Sequence, residues 1–418
     1  MTKRPTKLAS GPTGELNPPP RLIMGPGPLN ADPRVLRSMS LPLLGQFDPA
    51  FLSIMADTQA IYREIFETRN AQTFLIDGTA RAGIEACLVS MIEPGDKVLV
   101  PVFGRFGHLL CEIAERAGGE VVTIETEWGR VFPPSEIEAA IKQHRPKLIA
   151  IVHGDTSTTL AQPLEAIGAL CREHEVLLYA DATASLGGSE IKTDAWHIDA
   201  MSSGLQKCLS GPPGVAPVTF NERVVRIARR RHHIEKGVAP AGYAAGPGPR
   251  VGSNYFDLGM LMDYWGEGHL NHHTESTSMV YAAHECGRIL LQEGLGAAFA
   301  RHALVSKALT AGLTAMGLKL FGEQAYKMPN VTGVMVPDGI SGDSVRAMLL
   351  GDFGIEIGTS FGPLAGRVWR IGTMGYTARK ENVLICLCAL EAALLQHKLK
   401  LPAGAAVAAA LGVFAEAA

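Results

Sequence analysis

The chain has 418 residues, and 38 basic side chains against 41 acidic ones leave a formal charge of −3. Apolar residues make up 47% and charged ones 19%, ordinary globular usage, so a large core over two or three domains is expected and disorder is not. The near balance of charge gives no general electrostatic reason to bind nucleic acid or an anionic membrane, and no run reaches the roughly 18 to 20 uncharged apolar residues of a membrane span.

In chain order, residues 1–21 are rich in proline and poor in large apolar side chains, which predicts a flexible arm. They hold no hydrophobic segment of signal-peptide type. Seven cysteines, an odd number with no Cys-x-x-Cys pair, fit a reducing cytoplasm better than a disulfide framework. From about Ile23, short β-branched runs at 97–101, 148–152 and 176–181 alternate with helical patterns at 81–91, 107–117, 134–143 and 164–174. Strand and helix alternating at this pitch predict βαβ units: an α/β fold with a mostly parallel sheet, helices on both faces, and ligands at the carboxyl ends of the strands. Residues 22–293 are read as one large domain. A helical stretch from 276 to about 315, interrupted at Gly294–Gly296, leads into a small α+β domain over 294–400. There strands are predicted at 331–337, 355–357 and 368–371, and helices at 341–352 and 378–396. Residues 401–418 are read as an Ala-rich tail or weak helix.

Chemistry concentrates at two strand ends. Lys207, in Ser202-Ser203-Gly204-Leu205-Gln206-Lys207-Cys208, stands between a short strand and the Gly/Pro turn at 211–214. The apolar strand Leu177-Leu178-Tyr179-Ala180 closes on Asp181, a carboxylate that needs a cationic or hydrogen-bonding partner once buried. Pyridoxal phosphate requires both groups: a lysine for the imine and an acid to keep the ring nitrogen protonated. Taken singly, the lysine reads as a surface charge and Asp181 as a cap or turn former. Phe74-Leu75-Ile76-Asp77-Gly78-Thr79-Ala80-Arg81 places a Gly-Thr-Ala turn between strand and helix. Its backbone N–H groups and helix dipole favour a phosphate there, or Thr79 acts as a simple N-cap.

Met24-Gly25-Pro26-Gly27-Pro28, Thr68-Arg69-Asn70, Glu93-Pro94-Gly95-Asp96, His153-Gly154-Asp155-Thr156-Ser157-Thr158, Asp181 with Ala184 to Gly188, and Gln206-Lys207 with Pro212-Pro213-Gly214 occur in this order. Together they resemble the alanine:glyoxylate aminotransferase group of fold-type-I pyridoxal-phosphate enzymes, over residues 22–395. The resemblance implies that Lys207 is the Schiff-base lysine, that Asp181 faces the pyridine nitrogen, and that Thr156 contacts the phenolic oxygen. It also implies that Phe106 stacks on the ring and that Gly78, Thr79, Ala80, Thr183 and Gln206 complete the cofactor site. Arg370 would receive the substrate carboxylate, with Gly27 beside it. Arg81 stands where relatives have histidine. Asn271-His272-His273-Thr274 is implied to cross into a partner subunit, Thr274 to its phosphate and Asn271 to its active site, so a homodimer is expected.

Ureidoglycine:glyoxylate enzymes of the group resemble this chain in pairing an asparagine at 271 with a glutamine at 46. Two carboxamides complement a ureido group, which offers both donors and an acceptor. Transfer from (S)-ureidoglycine to glyoxylate is therefore the expected reaction, in purine catabolism. Alanine or serine to glyoxylate, and pyridoxamine to pyruvate, are the alternatives. A lyase or desulfurase would need a mobile cysteine, and Cys208 is expected to point away from the lysine. A pyridoxal-phosphate sensor or a silent dimerisation scaffold is the non-enzymatic alternative; the basic run Arg226 to Lys236 could be offered as a nucleic-acid patch but reads better as a solvated helix face. His272-His273 and His232-His233 have no further ligands at readable spacing, so no metal is expected.

Overall fold

A computed structural model describes residues 14–417. Of the predicted arm, residues 1–13 lie outside the described residues, and 14–21 run exposed without regular structure. A seven-stranded sheet forms the centre, in spatial order Gln72–Gly78, Gly214–Phe220, Ala200–Ser202, Leu177–Asp181, Leu148–Val152, Lys97–Val102, Glu120–Glu125. Only Gly214–Phe220 runs against the others. The fold is thus the expected α/β architecture with a mostly parallel sheet. Leu148–Val152 and Leu177–Asp181 are buried at every residue, as a strand covered by helices on both faces must be.

The expected helices form over Ala80–Met91, Arg105–Arg116, Pro134–His144 and Glu165–Glu173. Register levels the strand ends: Val152 pairs with Asp181 and Asp181 with Ser202, so the residues that follow these strands emerge along one edge. The long helical stretch divides at Gly294, whose φ of +87° no side chain would favour, into Thr277–Glu293 and Leu295–Ala315.

Two cores result. The first runs from Val35 to Ala298 and fills both faces of the large sheet. The second gathers Met24 with Val305 to Phe414, around the antiparallel strands Val331–Met335, Val368–Gly372 and Gly358–Thr359 and the helices Gly342–Asp352 and Lys380–Gln396.

Packing differs from the sequence reading in three places. Leu22–Ile23 pairs with Ile355–Glu356, so residues 22–24 join the C-terminal core rather than opening the large one. Residues 401–418, read as a tail or weak helix, form the helix Ala405–Glu416, which is packed into the core and buries Ala406, Ala410 and Phe414 at i, i+4 spacing. Gly312 lets the helix Leu295–Ala315 approach it, since a Cβ there would stand 2.9 Å from the Ala406 carbonyl oxygen. Within the basic run, Arg231 is buried, and its guanidinium donates to the carbonyls of Val89, Ser90 and Ile92. It satisfies the last acceptors of the helix Ala80–Met91, which has no C-terminal glycine cap.

Candidate active site

A cavity of about 300 Å³ opens at the carboxyl ends of the central strands. Gly27, Thr79, Ala80, Phe106, Thr156, Asp181, Thr183, Gln206 and Lys207 line it, together with Arg81. Residues proposed from six separate stretches of sequence therefore meet in one place.

Lys207 is buried, and its Nζ donates to the Pro26 carbonyl oxygen. Burial, and then the Arg370 guanidinium, lower its pKa to about 8. Each stabilises the neutral amine, the form that can attack a carbonyl carbon. Asp181 ends its strand buried, and its Oδ1 accepts from the Thr183 N–H at 2.9 Å. Burial pushes its carboxyl above the usual range, against the pull of that hydrogen bond. A cationic N–H placed beside it would restore the ionised form. His153, buried behind it, is bonded to Ser185 Oγ at 2.7 Å and held neutral, its pKa lowered to about 4 by burial.

The polar wall has unused capacity. Thr183 Oγ1 and Gln206 Oε1 are buried without a hydrogen-bond partner among the described residues. Thr79 makes no side-chain cap, so its hydroxyl is not spent on the helix that starts at Ala80. Gly78 holds φ at +119°. With that helix N-terminus, this wall fits a phosphate, and Asp181 and Phe106 fit the ring that carries it. The residues present thus suit pyridoxal phosphate.

Arg370 lies in the strand Val368–Gly372 of the second unit, buried yet turned toward the first. Its Nε donates to the Thr359 carbonyl at 2.6 Å and its Nη1 to the Thr156 carbonyl at 2.9 Å. Those bonds aim the fork and leave Nη2 without a partner among the described residues. Burial lowers its pKa to about 10, so it stays cationic at neutral pH. Phe361 packs over it at 4.7 Å, and Arg105 over the same ring at 4.4 Å.

Sequence reasoning assigned nothing to Asp155. Fully buried, its carboxylate accepts from the N–H groups of Phe106 at 2.9 Å and Ser157 at 2.8 Å and from Ser157 Oγ at 2.6 Å. It fixes the turn that carries Phe106. Gly104 makes room for it, because a Cβ there would stand 2.4 Å from Asp155 Oδ2. The Asp-x-Ser spacing of an Asx turn was the available signal.

Gln46, Asn271 and Thr274 do not line the cavity of their own chain. Gln46 Nε2 instead donates to Asn271 Oδ1 at 2.9 Å, and Gln46 Oε1 accepts from the Glu275 N–H at 3.3 Å. Asn271 and Thr274 are exposed. Cys208 is buried, with its pKa raised to about 11 by burial, and it lines a different hollow from Lys207. Among the described residues no helix is long and apolar enough to cross a membrane.

Comparison with known proteins supports the same chemistry. Residues 44–232 match the family model for class-V aminotransferases. The chain is 56% identical over 402 residues to the (S)-ureidoglycine–glyoxylate transaminase of Bacillus subtilis (strain 168), covering 96% of this chain and 97% of that one. It is 36% identical to the alanine–glyoxylate aminotransferase of Drosophila melanogaster, over 91% and 94% of the two chains. The crystal structure of the ureidoglycine–glyoxylate aminotransferase from Bacillus subtilis superposes with a TM-score of 0.91 at 55% identity, over 96% of this chain and all of that one.

Proposed function

Starting from the fact that this chain belongs to the class-V aminotransferases, we propose that it moves the amino group of (S)-ureidoglycine to glyoxylate, giving oxalurate and glycine. It is a pyridoxal-phosphate-dependent enzyme of fold type I. The observation that carries the choice of donor is the hydrogen bond between Gln46 and Asn271, on a chain 56% identical to a ureidoglycine-using relative. That bond uses one N–H of Gln46 and leaves the Asn271 amide N–H groups free, as donors for a ureido carbonyl. A methyl side chain would leave them desolvated and unpaired, at about 1–3 kcal/mol each.

Both carboxamides and Thr274 serve the active site of a second copy in this reading. The homodimer is supported by their exclusion from their own cavity and by the exposed apolar side chains of Leu36, Leu41, Leu43 and Phe47 on the adjoining segment. A cytoplasmic setting fits seven cysteines of which none is paired.

Thr79, Thr183, Gln206 and the start of the helix Ala80–Met91 would hold the phosphate, Phe106 one ring face, and Asp181 the ring nitrogen. When bound, pyridoxal phosphate supplies an electron sink for the substrate Cα–H bond. Arg370 grips the α-carboxylate with its free edge and so orients that bond. Lys207, its amine buried in the cavity, would take the substrate Cα proton as general base and give it back as general acid. Asp181 holds the ring N–H proton throughout. Glyoxylate, with the same carboxylate and no side chain, runs the steps in reverse.

Single-turnover spectra of the loaded enzyme with (S)-ureidoglycine and with alanine test the assignment. Conversion of ureidoglycine at least about tenfold faster in kcat/KM is expected. A preference for alanine would overturn it in favour of alanine:glyoxylate transfer.

A further inference from the structure

Beside the phosphate cradle, outside the catalytic cavity, three side chains converge: Asp77, His273 and Glu275. Asp77 precedes Gly78 on the central strand, while His273 and Glu275 flank Thr274. His273 Nε2 lies 3.5 Å from Asp77 Oδ2 and 3.7 Å from Glu275 Oε2, and one donor atom from each residue lies within 4.8 Å of the other two. Their side chains are 12%, 9% and 1% exposed in chain order. Asp77 Oδ1, His273 Nε2 and Glu275 Oε2 have no hydrogen-bond partner among the described residues.

The surrounding bonds decide which atom of His273 carries its proton. His272 Nε2 faces the Asn254 carbonyl at 3.0 Å, so it must donate. Neutral His272 then has a bare Nδ1, which accepts from His273 Nδ1–H at 2.8 Å. With His273 bonded in this way through Nδ1, its Nε2 is the atom turned toward the two carboxyl groups. The Tyr255 hydroxyl donates to Asp77 Oδ2 at 3.3 Å, while Asp77 Oδ1, His273 Nε2 and Glu275 Oε2 receive no donor among the described residues. Tyr255 and Tyr264 pack their rings on His273 at 5.2 and 4.9 Å, and the Tyr264 hydroxyl is also buried without a partner.

We propose that Asp77, His273 and Glu275 form a site for a divalent transition-metal ion of the Zn²⁺ or Mn²⁺ class. One imidazole nitrogen and two carboxylates are a donor set such ions accept. Ligand atoms at 2.0–2.1 Å from a tetrahedral ion stand about 3.4 Å apart, close to the separations found. The His272-to-His273 bond is the outer support that metal-bound imidazoles require. The sequence reading found no further ligands near the His272-His273 pair; the fold brings one from a distant strand. A bound ion ties residues 271–275 to the strand Gln72–Gly78, and so fixes Asn271 and Thr274 for the second copy's site that the proposed function has them serve.

Untagged, cofactor-loaded enzyme, stripped with a chelator and desalted, is titrated with Zn²⁺ alone and with Mn²⁺ alone, following heat and melting temperature. One equivalent per chain and a raised Tm are expected for at least one ion. His273→Gln and Glu275→Gln should each weaken binding at least about tenfold while pyridoxal phosphate content is kept. Two variants guard against one failing to fold. Substoichiometric uptake by the wild type, or variants that bind as the wild type does, overturns the site. If the wild type takes up no ion and Glu275→Gln melts no lower, the two carboxyls share a proton instead and the metal site is refuted.

Discussion

A Cβ atom on Gly27 would stand 2.3 Å from Lys207 Nζ. Residue 27 holds φ at +106°, a conformation side chains avoid, in the loop whose Pro26 carbonyl receives the lysine. The N-terminal segment thus presses on the catalytic amine itself. Gly27→Ala should keep the fold, read by circular dichroism, and lower kcat/KM on the order of 100-fold, since a displacement of roughly 1 Å of a reacting group has that effect. Activity within twofold of wild type would show that the loop moves freely.

The lowered pKa of Lys207 has a defined sign. Depression from 10.5 to about 8 means that the neutral amine gains population as pH rises through 8, not through 10.5. Capture of added pyridoxal phosphate by the cofactor-free protein, trapped with borohydride and located at residue 207, should therefore rise with a midpoint near pH 8. In Arg370→Gln the neighbouring positive charge is gone, and the midpoint should move upward. An unchanged midpoint would remove Arg370 from the account of this shift.

Arg370→Lys keeps the charge and gives up the planar fork. Both its anchoring bonds, to Thr359 and Thr156, depend on guanidinium geometry. KM for glyoxylate and for the donor should rise together by about 10- to 100-fold, matching about 1.5–3 kcal/mol for a charge-assisted pair. A rise for the donor alone would place the acceptor's carboxylate elsewhere.

Complementation tests which chain supplies Asn271. Lys207→Ala and Asn271→Ala homodimers should both be poor enzymes toward ureidoglycine. Mixed after unfolding and refolding together, they form heterodimers in which one site carries both lesions and the other neither. Recovered activity is expected; its absence in proven heterodimers would confine Asn271 to its own chain.

Gly104→Ala reaches stability rather than chemistry. Its Cβ would meet the buried Asp155 carboxylate at 2.4 Å. Overpacking of this kind costs about 1–3 kcal/mol, so a lower urea midpoint is expected, with cofactor dichroism changed as the turn carrying Phe106 is displaced.

Local rules carried much of this protein. The alternation of β-branched runs with helical patterns was enough for the α/β layering, because periodicity states which face each element must bury. A lysine and an aspartate, each just past an apolar strand, were legible as chemistry because parallel strands deliver their carboxyl ends to one edge. What stayed hidden depends on residues far apart in sequence. Asp155 supports Phe106, Arg231 closes the helix Ala80–Met91, and Asp77 meets His273 and Glu275 only where the sheet edge and the 271–275 segment pack together. The helix Ala405–Glu416 exists as part of a core through its packing on Leu295–Ala315, at Gly312, and on Lys380–Gln396, since its own composition gives it one weak apolar face. Propensity and spacing act over a turn or two of chain; burial decides everything beyond, and burial belongs to the folded whole.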